Sequence, residues 1–72
     1  MRTRNEQQGA ILARNLVRIM KEKEITIQEL AYECKTDQSN ISRYRNNRNY
    51  PGGQMLVKLA DALNVSVAEL IT

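Results

Sequence analysis

Between Gln38 and Arg45 the sequence sets an amide, two hydroxyls and a guanidinium against two large apolar residues. Ile41 and Tyr44 stand three apart, a helical spacing that places both on one face. Gln38, Ser39, Ser42 and Arg43 then project from the opposite face. An amide offers a donor and an acceptor together, a hydroxyl offers either, and a guanidinium offers a planar pair of donors. A rigid helix presenting these groups outward is equipped for hydrogen bonding to the edges of nucleic-acid bases. The surrounding charge agrees. From Gln38 to Ala60 there is no acidic residue, while Arg43, Arg45, Arg48 and Lys58 all fall in that window. Glu22, Glu24, Glu29 and Glu33 lie earlier, so one stretch is locally basic in a chain of net charge +3. An ordinary solvated face has the same charge pattern. The stripe becomes a footprint only if the fold aims it at a groove.

Other chemistries find little support. The chain has no His, so no imidazole serves as general base, proton shuttle or metal ligand. Its single Cys34 has neither a CxxC partner nor metal-ligand spacing. No nucleophile–base pair can be drawn, so no enzyme, metal or cofactor is expected, and no small-molecule ligand is evident. Seventy-two residues make one domain with a thin core. No apolar run approaches the roughly 20 residues that span a bilayer, and there is no signal-peptide core. Together with one unpaired Cys, these features lead to the expectation of a soluble, cytoplasmic protein without a membrane partner.

Five helices and no strands follow from caps and periodicity. Leu12, Leu16, Ile19 and Met20 predict a first helix from about Gln7 to Lys23, with Arg14, Arg18, Lys21 and Lys23 around the rest of the turn. Residues 1–6 are polar and basic, a flexible arm or a frayed extra turn, ahead of one domain over 7–72. Thr26 and Glu29 form a capping box, and Ile25 and Leu30 a hydrophobic staple, opening a second helix from Ile27 to about Cys34. Leu30, Ala31 and Cys34 face inward. Asp37 suits the N-cap of a third helix that reaches about Arg45. Asn46 to Gly53 is a loop by composition. A fourth helix spans about Gln54 to Leu63, with Leu56, Leu59, Ala60 and Leu63 as its apolar stripe and Asn64 in a left-handed cap. Ser66 with Glu69, and Val65 with Leu70, repeat the box and staple for a short fifth helix.

The stretch TIQELAYECKTDQSNISRYRNNRNYP, followed by LVKLADALNVSVAEL, resembles the Cro/phage-repressor (XRE) family of helix-turn-helix domains. The likeness runs from about Leu12 to Leu70. Leu30, Ala31, Cys34, Ile41 and Tyr44 match the family's inward positions, and Ala31 its small residue between helices two and three. The chain also departs from the pattern. Lys35 stands where the family has a turn glycine, and Ile27 where it often has a phosphate-touching Gln. Met20 and Arg45 replace an Arg–Glu pair, which frees Arg45 for a phosphate. Gly53 replaces an apolar residue, which weakens packing there.

The resemblance implies an all-α, five-helix lambda-repressor-like fold and a transcriptional regulator, with repression the leading expectation, that binds double-stranded DNA sequence-specifically. The third helix enters the major groove N-terminus first, and the second crosses the backbone. Gln38 would bond bidentately to adenine, Arg43 to guanine, and Ser39 and Ser42 to either kind of edge or to water. Phosphate contacts would come from Gln28 with the amides of helix two, Asn40, Arg45, Asn46 and Arg48. A homodimer on a near-palindromic operator, with half-sites about 34 Å apart, would use Val67 and Ile71. Tyr44 and Cys34 are core residues in this reading. Tyr50 either covers the core beside Pro51 or meets the DNA backbone, and Arg2 and Arg4 either reach the minor groove or remain solvated. The alternatives are an antitoxin-type regulator and a protein-interaction module that keeps the fold.

Overall fold

The computed structural model describes residues 4–72, with side chains from Gln7 onward. Among these residues the elements are α1 (Arg4–Glu22), α2 (Ile27–Cys34), α3 (Gln38–Arg45), α4 (Gly53–Leu63) and α5 (Val67–Ile71), with no strand. Helix α1 packs on α3 and α5, α2 on α3 and α4, and α4 on α5. Among the described residues no helix is long and apolar enough to cross a membrane.

Helix α1 begins at Arg4, three residues before the expected start at Gln7. Residues 4–6, read as part of an arm or an extra turn, are its first turn, because nothing between Arg4 and Gln8 breaks a helix. Arg2 and the side chain of Arg4 lie outside the described residues. The helix stops where Glu24 turns left-handed at φ 57°, and the Ile25 N–H donates back to the Met20 carbonyl at 2.9 Å. That bond delivers Ile25 to the mouth of α2.

Both capping boxes form. The Glu29 N–H donates to Thr26 Oγ1 at 3.1 Å while the Thr26 N–H donates to Glu29 Oε1 at 3.1 Å. Ser66 and Glu69 do the same at the start of α5. Asn64 closes α4 in the left-handed region, as its sequence position implies.

The core joins Leu12, Leu16, Ile19 and Met20 of α1 to Leu30, Ala31 and Cys34 of α2, Ile41 and Tyr44 of α3, Leu59, Ala60 and Leu63 of α4, and Leu70 of α5. Leu56, expected in the stripe of α4, is only half-buried. Gly53 leaves no hole: it is exposed, and nothing lies within 4 Å of where a Cβ would stand. Burial raises the Cys34 thiol pKa above its ordinary value, partly countered by Lys58.

Among the described residues, one buried polar side chain escapes the apolar pattern. Asn15, only 2% exposed, donates through Nδ2 to the Leu70 carbonyl at 2.8 Å and to the Thr72 carbonyl at 3.3 Å. It ties the end of α5 onto α1.

Candidate nucleic-acid interface

The outward face of α3 is built from the turn before it. Lys35 adopts φ 54° and ψ 48°, a left-handed conformation unfavourable for a residue with a Cβ. The geometry expected of a glycine is therefore kept without one. The Thr36 N–H donates to the Ala31 carbonyl at 3.0 Å and reverses the chain sharply into α3. Asp37 holds the N-cap position in extended conformation, but its side chain makes no capping hydrogen bond. The expected side-chain cap is absent. The exposed carboxylate remains beside the positive end of the helix dipole.

Ile41 and Tyr44 are buried, at 0% and 6% exposure, which fixes the rotation of α3. Gln38, Ser39 and Arg43 are exposed on the far side, and Asn40, Ser42 and Arg45 are half-buried. Asn40 lies between the turn and the face. Its Nδ2 donates to Thr36 Oγ1 at 2.8 Å, and its Oδ1 accepts from Arg43 Nη1 at 3.0 Å. Both ends of the amide are thus engaged, and the guanidinium of Arg43 is held in place by the turn itself.

The C-terminal end of α3 is closed by its loop. The Asn46 amide folds back, with Nδ2 donating to the Ser42 carbonyl at 2.8 Å and more weakly to Ser42 Oγ at 3.4 Å. Asn46 therefore caps the helix, and Ser42 already has a partner. Asn47 is left-handed at φ 55°, and the Arg48 N–H donates to the Arg43 carbonyl at 2.8 Å. The Arg48 side chain is exposed. Tyr50 is 37% exposed, and Pro51 beside it is buried.

Arg45 and Met20 line one groove, of about 500 Å³, with Val17, Ile25 and Ile27 among their neighbours. Arg45 Nε is buried there without a hydrogen-bond partner. Buried donors are almost always satisfied, so this atom marks a local cost. Gln28 is exposed near the start of α2. The adjacent Glu29 carboxylate occupies the Thr26 N–H, where an approaching anion would otherwise be held.

The expected dimer residues separate. Ile71 is 38% exposed, but Val67 is half-buried and packs against the core, because a helix of five residues has too few positions for two apolar faces.

The model of the Cro/C1-type helix-turn-helix DNA-binding domain matches residues 15–72. The chain belongs to that family. Its helix-turn-helix is α2 and α3 joined through Lys35, and α3 presents the outward face of a DNA-binding domain. A crystal structure of the hypothetical transcription factor NHTF from Neisseria is similar, with a TM-score of 0.85 and 29% identity, over 93% of this chain and 78% of that one. No curated protein matches. Sequence patterning missed two supports in this helix-turn-helix domain: the tether made by Asn15 and the bridging role of Asn40. Asn15 carried one signal, a polar residue inside the Leu12–Leu16–Ile19 stripe.

Proposed function

We propose that this chain is a sequence-specific transcriptional regulator of double-stranded DNA, acting as a repressor through a homodimer on a near-palindromic operator. One observation carries the reading: Gln38, Ser39 and Arg43 stand together on the exposed, acid-free face of α3. Similarity to a hypothetical transcription factor from Neisseria supports the regulatory part. In this reading Gln38 and Arg43 read base edges, with Ser39 and Ser42 in supporting contacts. Asn40 acts mainly by holding Arg43. Arg45, Arg48, Gln28 and the remaining amide capacity of Asn46 face phosphates. Neutralised phosphates release counterions, so each such contact steepens the salt dependence of binding.

A single short helix reads few base pairs, which is why two copies related by a two-fold axis are proposed. Ile71 supplies the exposed part of that contact, and Val67 only its edge. In this reading, repression comes from occupying the operator. A buried Cys34 thiol is compatible with the reducing cytoplasm.

Selection of bound sites from random DNA tests the proposal, followed by salt titration on the selected site. The expected result is a site with two-fold symmetry, bound with affinity falling by about 0.9 log unit per tenfold salt for each phosphate neutralised. Recovery of no preferred sequence with a flat salt response would sink the DNA reading. An asymmetric single site would sink the dimer.

A further inference from the structure

We infer that Gly9, in the second turn of α1, is a positioning residue for the loop that carries Arg48, a role that rests on the DNA-binding reading of that loop. Gly9 is buried and helical, with no positive φ to explain a glycine. In a helix interior glycine is less favourable than alanine, so its presence needs another reason. The reason is room. A Cβ at Gly9 would collide with Asn47 Oδ1 and stand 3.0 Å from Asn47 Cγ. The side chain of Asn47 therefore rests on the bare backbone of α1.

Asn47 is also the left-handed residue that ends α3. Its conformation lets its own N–H donate to the Tyr44 carbonyl at 3.3 Å and the Arg48 N–H to the Arg43 carbonyl at 2.8 Å. The same residue thus touches α1 with its side chain and closes α3 with its backbone. Arg48 follows it directly, and Arg43 accepts the closing bond. The approach is made by the Asn47 amide, and through it the bare turn of α1 seats the left-handed residue from which Arg48 departs toward a phosphate.

Gly9→Ala separates this role from a purely structural one. Alanine favours the helix, so helix content holds or rises while the loop is displaced. Four proteins are compared: wild type, Gly9→Ala, Asn47→Gly and the double variant. Glycine at 47 keeps the left-handed backbone and removes the colliding side chain. The readouts are hydrogen exchange of the Arg48 amide, and affinity with its salt slope on a selected DNA site. Gly9→Ala is expected to speed exchange at Arg48, weaken DNA binding several-fold and lower the salt slope by about 0.9, one phosphate's worth. The double variant is expected to return all three to the values of Asn47→Gly alone. A Gly9→Ala protein that stays unfolded while the double variant folds would make Gly9 a packing residue alone and overturn the inference. Unchanged Arg48 protection and slope in Gly9→Ala would overturn the inference, as would a loss that persists, or a chain that fails to fold, in the double variant. If the wild type itself shows no salt-dependent DNA binding, the functional reading falls, and Arg48 exchange still decides the positioning role.

Discussion

Asn15 Nδ2 donates to the carbonyl of Leu70 at 2.8 Å, joining residues 55 positions apart in the chain. The bond is buried and satisfies a carbonyl in the last helix, which has only five residues and cannot hold itself together. Asn15→Leu keeps the forked shape of the side chain, with bulkier ends, and removes the donor. It should destabilise the fold by about 1–3 kcal/mol, because a buried carbonyl loses its partner. The urea midpoint measures this, and amides of α5 should exchange faster than those of α2. An unchanged midpoint would show that the tether contributes nothing.

Thr26→Ala should cost about 1 kcal/mol through the lost cap on the Glu29 amide. It should also move the Glu29 carboxyl. In the folded protein its pKa is held below the ordinary carboxylate value, first by the Thr26 backbone N–H and then by the Thr26 hydroxyl. A depressed folded value means stability that is present above the ordinary pKa and lost as pH falls through the folded one. The gap between wild type and Thr26→Ala should therefore narrow on acidification. Side-chain NMR titration should find Glu29 closer to its ordinary value in the variant.

Lys35→Gly should raise stability by about 1 kcal/mol, since the left-handed turn at φ 54° no longer carries a Cβ. Thermal unfolding at fixed salt reads the gain. A loss would mean that the lysine side chain packs or pairs more than its exposure suggests.

Arg45→Leu should separate folding from binding. The buried, unpartnered Nε disappears and an apolar side chain enters a groove lined by Val17, Met20, Ile25 and Ile27, with Lys21, Glu24 and Thr26 also on its wall. Stability should rise by about 1 kcal/mol, the lower end of the cost of an unsatisfied buried donor. DNA affinity should drop with a salt slope reduced by about 0.9, as for one lost phosphate. Equal binding by both proteins would remove Arg45 from the interface.

Gln38→Ala and Arg48→Ala should fail differently. The first should relax preference at one base pair, worth about 1–3 kcal/mol of discrimination. The second should weaken all sequences alike. Binding to the selected site and to single-base variants distinguishes them, and identical profiles would refute the division of roles.

The helices were legible where side chains report their own local geometry. Thr26 with Glu29, and Ser66 with Glu69, mark helix starts because the same few residues make both halves of the box. Ile41 and Tyr44 oriented α3 for a similar reason: their spacing alone puts them on one side. What could not be read depends on partners far along the chain. Asn15 meets Leu70 and Thr72, and Gly9 meets Asn47, and no periodicity encodes such meetings. Asp37 shows the limit on the local side, since the correct cap residue at the correct place makes no capping bond. In the interface, Gln38, Ser39 and Arg43 were legible as exposed polar groups. The choice of Thr36 and Arg43 as partners of Asn40, and of Ser42 as the partner of Asn46, was not, because each amide had several partners within reach of its sequence position.

The three tyrosines occupy graded environments: Tyr44 at 6% exposure under α3, Tyr50 at 37% in the loop after it, and Tyr32 at 82% on the surface of α2. With no Trp in the chain, ultraviolet emission comes from these rings alone. The protein thus carries a built-in optical gauge. Tyr44 senses undocking of the recognition helix, Tyr50 senses movement of the loop, and Tyr32 serves as the solvent-bathed reference. Replacing two of the rings with phenylalanine in turn would let each event be followed without an attached dye.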